Sequence, residues 1–210
     1  MDDELWEQRK KVLTANDMTV LLGHSPWSGE EQIWMEKNGM IERSEPNLAC
    51  ASGIILEPLI RDLWNFENGV DGIAYRDWMY DRGEPKQKFY CREDLFLGAT
   101  PDGIMCLDLD MVGQEIKSTS EDWSYLPDRV ITQCVVGMIV TGLTKWKVVS
   151  YHLRKGEATA IVIKKALGQP IHMNADQMKE WDLDLGEYED LAKEIIQTAK
   201  TWWQMYMVDG

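Results

Sequence analysis

The stretch that decides the fold is Gly98–Thr119, "GATPDGIMCLDLDMVGQEIKST". Its apolar residues predict one strand over "LFLGATPDGIMCLDLD" and a return strand over "MVGQEIKS". Asp102 stands in Pro-Asp-Gly, which breaks a strand and holds a carboxylate at a bend. Because side chains alternate along a strand, Glu115 and Lys117 point to the same face. The hairpin therefore brings Asp102 close to an acid and a base.

Two interpretations of these three residues are open at this level. An exposed cross-strand ion pair stabilises a sheet by about 0.2–1 kcal/mol and needs no function. Alternatively, Asp102 and Glu115 hold a hard divalent ion such as Mg²⁺, with the backbone carbonyl of Ile116 as a further oxygen ligand. Lys117 then lies beside the metal-bound water, where a cation stabilises charge that develops on a phosphate. The second arrangement suits phosphodiester hydrolysis.

Helices are predicted on both sides of this hairpin. Residues 4–23 indicate two short helices, with Thr14 or Asn16 as the cap of the second. A third helix is predicted from about Ser28, where Ser28 and Glu31 have the spacing of a capping box. The clearest helical periodicity is in "SGIILEPLIRDLWNFENG".

After the hairpin, "SYLPDRVITQCVVGMIVTG" predicts a buried helix that ends at Gly142. A second hairpin is predicted from "KWKVVSYHL" and "ATAIVIKKA". An amphipathic helix follows from Asn174 to about Met207, with a break at Gly186 left open. This order predicts an α/β fold, with a mixed central β-sheet flanked by α-helices. We expect a single domain over residues 1–210, with a helical extension over about 174–210.

Composition restricts the partners. The chain has 22 Lys and Arg against 36 Asp and Glu, a net charge of −14, which taken alone argues against nucleic acid. Six basic residues nevertheless fall within Leu143–Lys165, so a local basic groove stays open. The four cysteines form no CxxC pair, and no apolar run reaches the length of a membrane span. With a polar N-terminus, these features predict a cytoplasmic protein that does not contact membranes.

The residues Pro101, Asp102, Glu115, Ile116 and Lys117 resemble the signature of the PD-(D/E)XK nuclease superfamily. Further stretches occur in the order seen in the YqaJ-type viral recombinase nucleases, the family of phage lambda exonuclease. They are "RKKVLTANDMTVLLGHSPW", "QIWMEKNG", "SGIILEPLIRDLWNFENG", "GATPDGI", "QEIKS" and "TQCVVGMIVTG". The resemblance covers roughly residues 9–152 and implies a restriction-endonuclease-like core.

The resemblance implies a role for each acidic residue. Asp102 matches the metal-bridging aspartate, Glu115 the second acidic ligand, and Lys117 the lysine that orients or activates water. Glu57 matches a glutamate on an upstream helix that helps to hold a metal. The alternative for Glu57 is a surface pair with Arg61 one turn later, worth a few tenths of a kcal/mol.

Gln133 matches a glutamine that contacts the lysine or the water in relatives. The chain departs from the family pattern around it. Val135 stands where many relatives have a second glutamine, and Gly137 stands where an aromatic residue is frequent.

Three residues are implied to bind DNA. Arg9 matches an arginine that binds the 5′ phosphate, a dianion that suits the guanidinium fork. Asn16 contacts phosphate or caps a helix, and Thr100, just before Pro-Asp-Gly, is placed to donate to phosphate. Trp27, in the "GHSPW" turn, is either a core residue or a wedge.

The implied activity is a Mg²⁺-dependent 5′-to-3′ exonuclease acting on double-stranded DNA ends, encoded by a phage or prophage and active in the bacterial host. The resemblance implies one or two ions, with Mn²⁺ as a substitute. It also implies a single-strand annealing partner and a homo-oligomeric, trimeric ring whose channel is basic. Two alternatives remain: a non-catalytic scaffold or DNA mimic with the same fold, or an endonuclease or repair nuclease of the superfamily.

Overall fold

The computed structural model describes residues 3–25, 27–41, 47–70, 79–81, 84–86 and 88–208. Within these ranges the helices are α1 (Asp3–Lys10), α2 (Ala15–Leu21), α3 (Glu30–Lys37), α4 (Leu48–Asn68), α5 (Asp128–Thr141), α6 (Glu157–Ala166) and α7 (Glu189–Trp203). The strands are β1 (Leu13–Thr14), β2 (Met79–Asp81), β3 (Glu84–Lys86), β4 (Tyr90–Arg92), β5 (Leu97–Ala99), β6 (Gly103–Leu107), β7 (Asp110–Thr119), β8 (Lys145–His152) and β9 (Met178–Asp184). A π-helical turn, Gln204–Val208, follows α7.

The central sheet is mixed and has the order β6-β7-β8-β9. β7 pairs antiparallel with β6 and parallel with β8, and β9 pairs antiparallel with β8. A smaller sheet has the order β1-β5-β4, and β2 and β3 form a separate hairpin. Long β7 is therefore interior to the central sheet: its first half, Asp110–Gln114, pairs with β6, and its C-terminal part, from Gly113 to Thr119, pairs with β8.

Helices cover both faces of the central sheet. On one face, buried residues of α4 and α6 pack against alternate side chains of β7 and β8, among them Ile116, Val149 and Tyr151. On the other face, α5 packs against Trp146 and Val148. A third cluster joins α5 to α2, α7 and the smaller sheet. The alternation places Ile116 towards α4, so its neighbours Glu115 and Lys117 face α5.

The first hairpin and the helix after it are confirmed. β6 and β7 pair over five residues, from Gly103 with Gln114 to Leu107 with Asp110. α5 ends at Gly142, whose φ of 74° is in the left-handed region that favours glycine. Of the two candidate caps of α2, Thr14 is the observed one: it forms a capping box with Asp17, and Asn16 lies inside the helix.

Three predicted elements are wrong. Residues 158–166 form α6 rather than a strand, because Gly156 turns the chain at a φ of 79° and the alanines of this segment favour helix. Residues 178–184 form β9 rather than helix, since Trp181 and Leu183 alternate with acids and pair with β8. Ser28 does not cap α3, which begins at Glu30 behind an uncapped Gly29.

Within the described residues, none of the helices has both the length and the apolar character that crossing a membrane requires.

One buried ion pair joins the N-terminal helices. The side chain of Lys37, at the end of α3, has no exposed surface, and its Nζ lies 2.7 Å from Asp17 Oδ2. The same ammonium donates to the Arg9 carbonyl at 3.0 Å. Asp17 also accepts the Thr14 N–H at 2.7 Å. Since a buried charge needs a partner, this pair fixes α1, α2 and α3 relative to one another.

A buried tryptophan explains the departure at Gly137. The Trp146 ring lies between β7 and α5, where a Cβ on Gly113 or Gly137 would come within 2.1 Å or 2.5 Å of ring atoms. Trp146 itself is 1% exposed. The large side chain on β8 thus occupies the space beside α5, and glycine is needed at both contact points.

We predict that Lys37→Met lowers the free energy of unfolding by about 3–5 kcal/mol, because it leaves the Asp17 carboxylate buried without its cation. The measurement is urea unfolding of both proteins. Lys193→Met is the matched control: Lys193 and its partners Glu189 and Asp190 are exposed, so the loss should be far smaller than that of Lys37→Met. Equal losses in the two variants would contradict the buried-pair assignment.

We predict that Gly137→Ala destabilises the fold by about 1–3 kcal/mol, because the new Cβ meets the Trp146 ring. Gly53→Ala, in α4, is the control: its Cβ meets only Ser118 Oγ at 3.8 Å, and alanine is the better helix former. That variant should be neutral or more stable. In a Trp146→Leu background the penalty of Gly137→Ala should disappear, and a penalty that persists there would refute the contact.

Candidate active site

An open cleft of about 820 Å³ runs across the C-terminal half of β7. Glu57, Asp102, Ile116 and Lys117 line it. Its other walls come from the N-terminal half of α4, the segment after β7, the start of α5 and the start of α6. The predicted centre of the site therefore opens to solvent in a space large enough for a ligand.

Asp102 is held at the bend between β5 and β6. Its Oδ2 accepts the Ile116 N–H at 2.7 Å, and its own N–H donates to the Gln114 carbonyl at 3.2 Å. Because the N–H and C=O of one strand residue point to the same side, the Ile116 carbonyl is on the side of β7 that faces Asp102. The backbone of β7 thus fixes the carboxylate and presents an oxygen next to it.

Arg61 connects Glu57 to Asp102. Its Nη2 lies 2.6 Å from Glu57 Oε1 and donates to the Asp102 carbonyl at 2.8 Å. The Arg61 side chain is only 8% exposed, so this is not the surface pair that the sequence offered as an alternative. The predicted pairing of Glu57 with Arg61 is present, but it lies inside the site and brings α4 to the bend.

Glu115 and Lys117 pair with each other on the α5 face of β7. The Lys117 ammonium donates to Glu115 Oε1, and both side chains are largely buried. Lys117 lines the cleft. Cys134, on α5, is buried beside this pair, and burial together with Glu115 raises the pKa of its thiol well above the ordinary value. The Cys134 thiol beside the pair therefore stays uncharged.

The site has an excess of negative charge. Burial raises the pKa of Asp102 well above its usual value, and the carboxylates of Glu115 and Glu57 raise it further. Burial opposes the charge of Lys117, but Glu115 and Asp102 outweigh it and hold the lysine pKa above its ordinary value. Lys117 therefore stays a cation, whereas burial and the two neighbouring carboxylates disfavour the charged form of Asp102.

The donor set fits a hard divalent ion. Three carboxylates and a backbone carbonyl are the oxygen ligands that Mg²⁺ prefers, and a cation would relieve the repulsion that raises the Asp102 pKa. Among the described residues, however, no three acidic, histidine or cysteine side chains are already grouped as a metal cage. Glu57 contacts Arg61, and Glu115 contacts Lys117. Binding an ion therefore requires the Arg61 and Lys117 side chains to turn away.

Gln133, expected to contact the lysine or the water, and the three residues expected to bind DNA differ in their position relative to the cleft. Gln133 lines the cleft, but its amide N–H donates to Asn16 Oδ1, and its Oε1 is buried without a hydrogen-bond partner. Thr100 Oγ1 is likewise buried without a partner. Arg9, near the end of α1, lies close to Glu36 of α3. Of these residues only Gln133 is among the described residues that line the cleft, so the phosphate-binding roles of the others remain predictions.

Four residues of the cleft wall carry no role in the sequence prediction. Arg129 and Trp123 line one side, and Arg154 and Lys155 line the other. Trp27 lines the cleft as well and is 70% exposed, so the core alternative for it is wrong. Arg154 and Lys155 belong to the basic segment Leu143–Lys165, which the sequence shows. No local sequence pattern indicates a role for Arg129.

The basic segment Leu143–Lys165 does not form one surface. Lys145 pairs with Asp110 at 2.5 Å, and Lys147 pairs with Asp182 at 2.6 Å. Arg154 and Lys155 are exposed at the cleft, and no ion pair joins either of them to another described residue. The basic surface at the cleft is therefore formed by Arg154 and Lys155 and not by the whole segment Leu143–Lys165.

Comparisons with known proteins concern the family and the fold. The model of the YqaJ-like viral recombinase domain matches residues 5–144. An alkaline exonuclease from Laribacter hongkongensis, LHK-Exo, superposes with a TM-score of 0.61 at 17% identity, covering 99% of this chain and 94% of that one. Its complex with dAMP gives a TM-score of 0.58 at 18% identity, with coverages of 98% and 94%.

A phage-related exonuclease from Haemophilus somnus gives a TM-score of 0.60 at 10% identity, covering 94% of this chain and 96% of that one. No curated protein matches at a significant level. At these identities the likeness to solved structures concerns the fold. The predicted class is confirmed: an α/β, restriction-endonuclease-like core with a mixed sheet flanked by helices.

We predict that Asp102→Asn stabilises the metal-free protein at neutral pH. The folded pKa of Asp102 is raised, so the folded state loses stability as pH rises from about 3.8 through that raised pKa. Asparagine keeps the acceptor for the Ile116 N–H and removes the charge. Urea unfolding in EDTA at several pH values should show a gain that grows with pH and vanishes below pH 3.8.

Asp122→Asn is the control of opposite sign. Its hydrogen bond with Lys179 lowers the pKa of the Asp122 carboxyl, so the carboxylate contributes stability above its ordinary pKa. Asp122→Asn should therefore be slightly less stable than the unsubstituted protein at neutral pH. A loss of stability in Asp102→Asn that grows with pH would contradict the repulsion described for the site.

Proposed function

The chain belongs to the YqaJ-like viral recombinase family, and from that membership we propose that it is a nuclease that hydrolyses the phosphodiester bonds of DNA. The observation that carries the proposal is the floor of the cleft, where Asp102 and Lys117 lie with Glu57 and next to Glu115. The fold is shared with proteins named as exonucleases, which supports an action at DNA ends.

We propose that Asp102, Glu115, Glu57 and the Ile116 carbonyl hold one or two Mg²⁺ ions, for which Mn²⁺ can substitute. When bound, the ion supplies positive charge on a phosphate oxygen and lowers the pKa of a bound water. The β7 backbone keeps the Asp102 carboxylate in one orientation, and Arg61 holds Glu57 beside it.

Lys117 acts as a cation in this proposal. Its raised pKa keeps the ammonium charged, so it is a poor proton acceptor and a good donor to a phosphate oxygen or a water. The neighbouring Glu115 limits its rotation. Gln133 adds a buried amide oxygen at the α5 side of the cleft, where it can accept a hydrogen bond from water.

The finer activity is a proposal that extends the family resemblance. We propose 5′-to-3′ digestion of double-stranded DNA from its ends, with Arg9, Asn16 and Thr100 at the 5′ phosphate. A single-strand annealing partner, a trimeric ring and action in the cytoplasm of a bacterial host belong to the same proposal. So does a single domain over residues 1–210, in which the region from 174 includes β9 of the central sheet as well as α7.

One observation favours a second candidate, a non-catalytic scaffold or DNA mimic. The net charge is −14, which repels DNA from most of the surface. The cations are placed unevenly, however, and Lys117, Arg129, Arg154 and Lys155 line the cleft. A scaffold would not need this arrangement around three carboxylates. An endonuclease or repair nuclease with the same centre differs only in end preference.

The test is digestion of end-labelled linear duplex DNA with Mg²⁺, comparing 5′-phosphate, 5′-hydroxyl and closed circular substrates. Release of mononucleotides from 5′ ends, with circles intact, is the expected result. Cleavage of circles would replace the exonuclease proposal with an endonuclease. If neither Mg²⁺ nor Mn²⁺ supports any cleavage, the scaffold is the better account.

We predict that Lys117→Met reduces the rate of cleavage by about 10²–10³-fold, the usual loss when one donor that stabilises developing charge is removed. Lys147→Met is the matched control from the neighbouring strand. Lys147 pairs with Asp182 and Glu180 and is not among the described residues that line the cleft, so its loss should leave the rate unchanged. Full activity of Lys117→Met would remove this lysine from the mechanism.

A further inference from the structure

Trp27 is the most exposed tryptophan among the described residues. Its side chain is 70% exposed, whereas the other described tryptophans are buried or partly buried. It lies in the segment between α2 and α3 and lines the same cleft as Asp102 and Lys117. A large apolar ring left in solvent within a cleft, rather than packed in a core, indicates a contact with a ligand.

The Arg129 side chain supports the Trp27 ring. The Arg129 guanidinium carbon lies 5.1 Å from the centre of the Trp27 ring and 5.7 Å from that of Trp123. Glu121 Oε2 accepts hydrogen bonds from Arg129 at 2.8 Å and from Trp123 Nε1 at 2.9 Å. Trp123 is 7% exposed. The buried indole and the carboxylate therefore fix the guanidinium, which supports the exposed ring through a cation–π contact.

Another part of the cleft lining is cationic. Arg154 and Lys155 are exposed there, at the turn that precedes α6. A ligand that spans the cleft would thus place an anionic group at Arg154 and Lys155 and a flat ring against Trp27. A nucleotide has both groups, a phosphate and an aromatic base. Stacking on an indole accepts any of the four bases, because each has a π face.

We infer that Trp27, supported by Arg129 and Trp123, forms a stacking site for an unpaired nucleobase at the end of the DNA strand in the cleft. This inference rests on the proposed nuclease function and extends it to the strand end. A base pair inside a duplex hides both faces of its bases, so the site selects a frayed or separated end. The stacked base holds its strand in the cleft, over Asp102 and Lys117.

The test uses a duplex with 2-aminopurine at one strand end, because the fluorescence of this base falls when it stacks on an indole. Binding is followed in EDTA, so that no hydrolysis occurs, with the label at the 5′ end or the 3′ end of one strand. Trp27→Ala, Trp27→Phe and Tyr125→Ala are compared with the unsubstituted protein. Tyr125 is the control, since it is 76% exposed and is not among the described residues that line the cleft.

We expect the unsubstituted protein and Tyr125→Ala to quench the label at one of the two ends. Trp27→Ala should abolish the quenching and weaken binding about 5- to 150-fold, the range for losing one stacked base. Trp27→Phe should retain most of the quenching and most of the binding affinity. Because Trp27 is on the surface, its substitution should leave the melting temperature unchanged, and this is measured alongside.

Two results would overturn the inference while leaving the nuclease proposal intact. One is quenching that Trp27→Ala retains in full. The other is tight binding of DNA by the unsubstituted protein with no quenching at either end. A protein that binds no DNA and cleaves none would instead fail the proposed function, and the stacking site with it.

Discussion

Three carboxylates, those of Glu57, Asp102 and Glu115, lie close enough to oppose one another's charge at the bend before β6. Most of the surrounding architecture positions or balances them. α4 brings Glu57, together with Arg61, which also holds the Asp102 carbonyl. β7 fixes the Asp102 carboxylate through the Ile116 N–H and supplies Lys117 to Glu115. The mixed sheet holds these residues in place, because β7 pairs with β6 on one edge and with β8 on the other.

The same crowding links stability to function. Elsewhere a buried carboxylate has its own cation, as in the contact between Asp17 and Lys37. At the centre of the site Arg61 contacts Glu57 and Lys117 contacts Glu115, while burial, together with the charges of Glu115 and Glu57, raises the Asp102 pKa. A metal-free site of this kind destabilises the fold at neutral pH, and a divalent ion would remove the penalty. The acidic surface and the cations of the cleft wall also confine attraction for DNA to the place where hydrolysis is proposed.

How much the sequence predicts depends on how local each feature is. The hairpin around Asp102 and the end of α5 at Gly142 follow from turn residues and periodicity, and both are confirmed. The sequence of α6 predicts a strand because Ile161, Val162 and Ile163 are β-branched, but the alanines and a turn glycine outweigh them. β9 depends on pairing with β8, a contact that no local pattern reveals. The cleft wall is non-local too, since Arg129 reaches Trp27 across more than one hundred residues.

The central claim is that Glu57, Asp102, Glu115 and the Ile116 carbonyl together form a divalent-ion site. Anomalous diffraction from crystals grown with Mn²⁺ tests it most directly. The account predicts a peak at about 2.1 Å, the usual distance for a small oxygen-bound ion, from Asp102 and Glu115 oxygens, with Lys117 turned away from Glu115. Mn²⁺ bound elsewhere, with the Lys117–Glu115 pair unchanged and no peak beside Asp102, would contradict it.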